Sequence, residues 1–143
     1  MKPYAAKILL ETDLCVLCTS KNDVPDASLM LYICDDQCTK LYMLTLKDTD
    51  KYRNILHNPN VSVLVDTRDA AGGGAAWTKA LTIHGEASVV SDSGASGELI
   101  ERMVSRHGQL MNLANDGSVA VIQVQMKRIL FLNSVDEGFD VTL

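Results

Sequence analysis

The sequence predicts a mainly-β fold: an antiparallel, Greek-key-like β-barrel with helices packed outside it. Three observations carry this. About seven short apolar segments have strand character. Most of their connections are short, which favours antiparallel pairing. Helical and strand patterns do not alternate regularly enough for a doubly wound parallel sheet. A chain of 143 residues fits one domain, spanning 1–143, and is long enough to bury a core.

The elements follow in order. Between Lys2 and Glu11, the residues Tyr4, Ala5, Ile8 and Leu9 share one helical face. Leu14 to Thr19 is an apolar strand, and Ser20-Lys-Asn-Asp23 is turn chemistry. Pro25 precedes a second strand, Ala27 to Cys34, and marks it as an edge or a bulge. Asp35-Asp36-Gln37 makes a turn into a third strand, Lys40 to Leu46. Asp48 or Thr49 caps a short helix with Tyr52, Ile55 and Leu56 as its apolar stripe. Asn58-Pro59 ends that helix, because a residue before proline leaves the α region.

Val61 to Asp66 is a fourth strand. The stretch Ala70 to Ala76 with Gly72, Gly73 and Gly74 is a connecting loop or lid, the plain loop being the simpler reading. It fails the dinucleotide fingerprint, since the third glycine is missing and a strand pattern follows. Ala80 to Val90 is a fifth strand in which Gly85 marks a bulge or close packing. Ser96 to His107 is a helix with Leu99, Ile100, Met103 and Val104 inward. Val119 to Gln125 and Arg128 to Asn133 are two closing strands.

Composition excludes several classes. Hydrophobic residues make up 47% and charged residues 22%, as in ordinary globular proteins. No apolar run approaches the roughly 20 residues that span a bilayer, and the first residues lack the apolar core of a signal peptide. The expected location is cytoplasmic. A net charge of −5 argues against nonspecific nucleic-acid binding.

One segment concentrates chemistry. From Leu41 to Asp66 the chain reads strand, polar turn, short helix, Asn-Pro stop, strand. The turn gathers Thr45, Lys47, Thr49, Lys51 and Arg53 where a helix begins. Free backbone N–H groups and the positive dipole end suit a phosphate there. A cation in a first helical turn is mildly unfavourable with the dipole, and a bound phosphate supplies a reason for Lys51. Thr45 is equally explained by β-propensity, Thr49 by capping, and Lys47 and Arg53 by plain surface charge.

The cysteines fall as Cys15-x-x-Cys18 and Cys34-x-x-x-Cys38, a spacing that superficially suggests zinc. Cys15 and Cys18 lie on one strand, where positions i and i+3 face oppositely. Buried free thiols are the simpler reading. His57, His84 and His107 are scattered, and no nucleophilic triad or metal pair follows from spacing.

The ordered segments Val16-Leu-Cys-Thr19 to Pro25, Ala27-Ser28-Leu-Met30-Leu-Tyr-Ile, Leu41-Tyr-Met-Leu-Thr45, Thr49-Asp-Lys51-Tyr-Arg53-Asn54-Ile, Asn58-Pro59-Asn-Val61 and Leu81-Thr-Ile-His-Gly85-Glu-Ala carry a resemblance. Over Leu10 to about Leu132 the chain resembles the pyridoxamine 5′-phosphate oxidase-like family of FMN-binding split barrels. The resemblance implies a homodimer holding flavin mononucleotide (FMN) between subunits, and an FMN-dependent oxidoreductase of unspecified substrate drawing on a donor such as NAD(P)H. It implies phosphate contacts from Thr45, Thr49 and Lys51, with Lys47 and Arg53 secondary. It places the flavin ring along Ser28, Leu29 and Met30, with Trp77 and Thr78 reaching the ribityl chain or ring from the neighbouring subunit. It leaves open a non-catalytic flavin-binding or stress-associated protein, or a haem-binding relative. Two departures matter. Lys79-Ala80 stands where the family's oxidases carry Arg-Gln, and the chain ends in an acidic segment, not an arginine-rich one. Both argue against vitamin B6 oxidation itself.

Overall fold

The computed structural model describes residues 1–68, 74–134 and 137–143. The chain runs α1 (Pro3–Glu11), β1 (Leu14–Lys21), β2 (Val24–Leu31), β3 (Ile33–Cys34), β4 (Lys40–Leu46), α2 (Asp50–His57) and β5 (Asn60–Asp66). After a short 3-10 turn at Ala75–Trp77 come β6 (Ala80–Val89), α3 (Ser93–Arg106), a second 3-10 turn at Gly108–Leu110, α4 (Met111–Ala114), β7 (Val119–Ser134) and β8 (Glu137–Thr142). The strands form one curled antiparallel sheet in the order β2-β1-β5-β6-β7-β4-β3, with β8 also on β7. This is a mainly-β split barrel with helices on its outside, as expected. The Ala70 to Gly73 part of the glycine-rich loop lies outside the described residues.

β7 organises the sheet. The sequence reading divides it in two at Met126-Lys127, yet it is one 16-residue strand. Its first half pairs with β4, its second half with β8, and β6 runs along most of it. His84 pairs with Arg128 and Gly85 with Met126, leaving Lys127 as an extra residue. That bulge bends the strand without ending it. A β-carbon on Gly85 would clash with the backbone oxygen of Gln125, which is why glycine occupies the position. The pairing of β8 was not foreseen, because Glu137–Thr142 carries little strand patterning of its own.

The β1–β2 hairpin turns on two residues only. Asn22 and Asp23 have φ of 51° and 64°, the left-handed pair of a type I′ turn, whose twist matches the flanking strands. Ser20 and Lys21, expected in the turn, pair with Pro25 and Val24 instead. Pro25 is tolerated because β2 is an edge strand. Tyr32 separates β2 from β3, so the expected single strand to Cys34 is two.

Two cores result. Leu17, Leu41, Met43, Val63, Val65, Leu81, Ile83 and Val124 fill the barrel, with Ala5, Ile8 and Leu9 of α1 closing it. Tyr42, Leu44 and Val121 face the other way, onto Met103 of α3 and Leu110. β4 is therefore buried on both faces, which explains its unbroken apolar run. On α2, Ile55 is buried but Leu56 is 63% exposed. The inward position expected for Leu56 belongs to Asn54, whose amide finds a buried partner in Thr19.

Candidate functional site

β4 delivers Thr45 to the barrel face, where it is 3% exposed. One turn later Thr49 caps α2, its oxygen accepting from Tyr52 N at 3.4 Å. The two hydroxyls lie 2.9 Å apart. Thr49 Oγ1 donates to Leu46 O at 2.9 Å, and Thr45 Oγ1 lies 3.3 Å from the same carbonyl. Each hydroxyl has one hydrogen, so both are spent within the turn. The structure thus brings Thr45 and Thr49 together as a pre-organised bend, and a ligand oxygen would take a hydroxyl hydrogen only after that hydroxyl rotates.

The three cations separate. Arg53 pairs with Asp50 at 2.8 Å on the exposed side of α2. Lys47 is exposed, and its backbone N–H donates to Ser118 O at 3.0 Å. Lys51 is half-buried and makes no ion pair among the described residues. It stands in the first turn of α2, where backbone N–H groups lack intrahelical acceptors. The donors on offer to an anion are therefore Lys51 and that first turn.

The β2 residues expected to line the ring divide between faces. Ser28 pairs with Leu17 and Met30 with Cys15, on the barrel side; Ser28 is half-buried and Met30 buried. Leu29 faces outward and is 70% exposed. As an edge strand, β2 also carries backbone N–H and C=O groups with no strand beyond them. β2 approaches β4, and α2 packs on β1 and β2. The start of α2 and β2 thus belong to neighbouring elements of the fold. Trp77, 69% exposed, and Thr78, whose Oγ1 donates to Gly74 O at 3.3 Å, sit on a turn that packs against β7. The single chain does not join them to the clamp.

An outer-face cleft of about 480 Å³ was not foreseen beyond Leu29. Its apolar floor is Leu14, Val16, Leu29 and Leu64, and its rim includes the Asp66–Arg68 ion pair at 2.7 Å. Hydrogen bonds from Arg68 hold the Asp66 carboxyl below the usual carboxylate range. Apolar residues at Val16 and Leu64, outward positions of half-buried strands, were the available signal.

The remaining chemistry is structural. His107 is buried, its Nε2 2.7 Å from Tyr32 O. Tyr32 Oη donates to Leu9 O at 2.7 Å. Cys15 faces the barrel and Cys18 the other side of β1. No helix among the described residues is long and apolar enough to cross a membrane.

Comparison with known proteins agrees with this architecture. The family model described as pyridoxamine 5′-phosphate oxidase matches residues 1–133. A provisionally assigned pyridoxamine 5′-phosphate oxidase from Listeria innocua is 26% identical, with a TM-score of 0.73 over 92% of this chain and 97% of that one. General stress protein 26 from Bacillus anthracis is 23% identical, with a TM-score of 0.70 over 96% and 95%. HutZ, a haem storage protein from Vibrio cholerae, is 22% identical, with a TM-score of 0.74 over 88% and 89%. The latter two likenesses concern the fold. Among curated proteins nothing matches.

Proposed function

Since the chain belongs to the pyridoxamine 5′-phosphate oxidase family, we propose that it binds FMN, with the phosphate at the start of α2 and the ring along the edge of β2. The observation that carries this is Lys51: a half-buried cation with no ion-pair partner among the described residues, in a first helical turn. A phosphate dianion there answers both the cation and the unpaired N–H groups. The Thr45–Thr49 bend holds the turn open to it. The edge groups of β2 offer hydrogen bonds to the ring.

FMN, when bound, supplies the redox chemistry; the chain binds, orients and shields it. The proposed assembly is a homodimer joined through the outer face of the sheet, where Leu14 and Leu29 are exposed. Trp77 from one subunit would then approach the flavin of the other.

Binding is the supported reading, and turnover is a further step. Relatives of the fold include stress, haem-storage and FAD-binding proteins. Lys79-Ala80 weighs against vitamin B6 oxidation. The test is a titration of the purified protein with FMN, followed by NAD(P)H under anaerobic conditions. Bleaching of bound flavin with multiple turnovers would make it an oxidoreductase. Retained but unreduced flavin would make it a flavin carrier. A Soret band on haem addition, without flavin retention, would move it to the haem-binding branch.

A further inference from the structure

Cys34 and Cys38 bracket the turn between β3 and β4. Both are buried, 8% and 4% exposed, and lie in the same core cluster, with the Cys34 thiol donating to Asp35 Oδ1 at 3.9 Å. The turn that brings them together is closely specified. Asp35 N donates to Lys40 O, and Cys38 N to Asp35 O, both at 3.0 Å. The Asp35 carboxylate accepts from Thr39 N at 2.7 Å, Lys40 N at 2.8 Å and Thr39 Oγ1 at 2.8 Å. Cys38 adopts φ of 52°, a region that side chains other than glycine rarely occupy, with its thiol in the barrel core.

A cleft of about 330 Å³ meets this turn, lined by Gln37, Cys38, Thr39, Gln125 and Met126 among others. It gives a small polar molecule access to Cys38.

We propose that Cys34 and Cys38 are a modification site: a dithiol that a hydroperoxide converts to an intramolecular disulfide, which thiol reductants reopen. The Cys38 thiolate attacks hydrogen peroxide. An S–O bond forms, the O–O bond breaks, and one water leaves, giving a sulfenic acid. The Cys34 sulfur then forms the S–S bond and displaces the sulfenic oxygen as a second water. Two thiols lose two electrons and two protons; the peroxide is reduced to two waters. Burial, with the neighbouring Cys38 and the Asp35 carboxylate, pushes the Cys34 thiol up. The cleft is lined by Cys38 and not by Cys34, so Cys34 is the second, resolving sulfur.

The other pair is an internal control. Cys15 and Cys18 are three residues apart on β1, about 10 Å in extended chain, and face opposite sides. Thiols so placed cannot be bridged without moving the backbone.

The test uses the whole protein, oxidised with hydrogen peroxide, alkylated in denaturant and digested with trypsin. Lysines 7, 21 and 40 place the two pairs in separate peptides, 8–21 and 22–40. The expected result is that peptide 22–40 loses two hydrogens and resists alkylation. After dithiothreitol both its thiols alkylate, while peptide 8–21 takes two alkyl groups throughout. Cys34→Ser should leave Cys38 as a sulfenic acid that dimedone traps. Should that variant not fold, the wild-type peptide alone decides. Full alkylation of 22–40, under conditions that oxidise free cysteine in solution, would overturn the proposal, as would bridging of Cys15 or Cys18 instead.

Discussion

Asn54 Nδ2 donates to Thr19 Oγ1 across 3.0 Å, joining α2 to β1 through two polar side chains that are both buried. α2 carries the proposed phosphate clamp, so this bond fixes the clamp against the barrel.

Asn54→Leu removes the donor and leaves the Thr19 hydroxyl buried beside an apolar group. A buried polar group without a partner costs about 1–3 kcal/mol. Urea unfolding should show a destabilisation of that order, and the double variant Asn54→Leu with Thr19→Val should recover part of it. A loss unchanged in the double variant would mean that packing, not the hydrogen bond, holds α2.

Gly85 meets the backbone of Gln125 at the β6–β7 bulge. Gly85→Ala forces one strand away from the other. Overpacking of this kind costs about 1–3 kcal/mol, and backbone yields less readily than side chains. Thermal unfolding should show the loss; an unchanged midpoint would mean that the bulge has slack.

Asp35 gives a pH dependence of known sign. Burial raises its pKa, but hydrogen bonds from Lys40 and Thr39 outweigh that and hold the carboxyl below its ordinary value. A folded pKa below the unfolded one contributes stability that is complete above about pH 4 and lost as pH falls through the folded value. The urea midpoint should therefore drop as pH falls below about 4, and Asp35→Asn should flatten part of that drop. Equal slopes for both proteins would remove Asp35 from the account.

Leu29, 70% exposed on the outer face, is expected to lie in the subunit interface. Leu29→Glu should convert a dimer to a monomer in sedimentation velocity without changing far-UV circular dichroism. A dimer that persists would locate the interface elsewhere.

Local chemistry was legible where one residue decides the structure. Thr49 caps α2, the Asn58-Pro59 pair ends it, Pro25 marks an edge strand and Gly85 a bulge. What escaped depends on partners distant in sequence. β8 owes its existence to the far half of β7, and Lys127 looked like a break because a bulge and a strand end share polar residues. Asn54 displaced Leu56 from the inward face because Thr19, 35 residues away, offers a polar partner there. The site was legible in part: the spacing joined Thr45 to Thr49 but could not reveal that Arg53 is paired with Asp50 while Lys51 has no ion pair among the described residues. Strand alternation was enough to set Leu29 on the face opposite Ser28 and Met30.

The central claim is FMN at the start of α2, held by Lys51. An FMN titration of wild-type and Lys51→Ala protein, read by absorbance after desalting, tests it most directly. The account predicts that the wild type retains about one FMN per subunit and that Lys51→Ala binds at least about tenfold more weakly, about 1.4 kcal/mol. A folded wild type that retains no flavin, or a variant that titrates like the wild type, would contradict it.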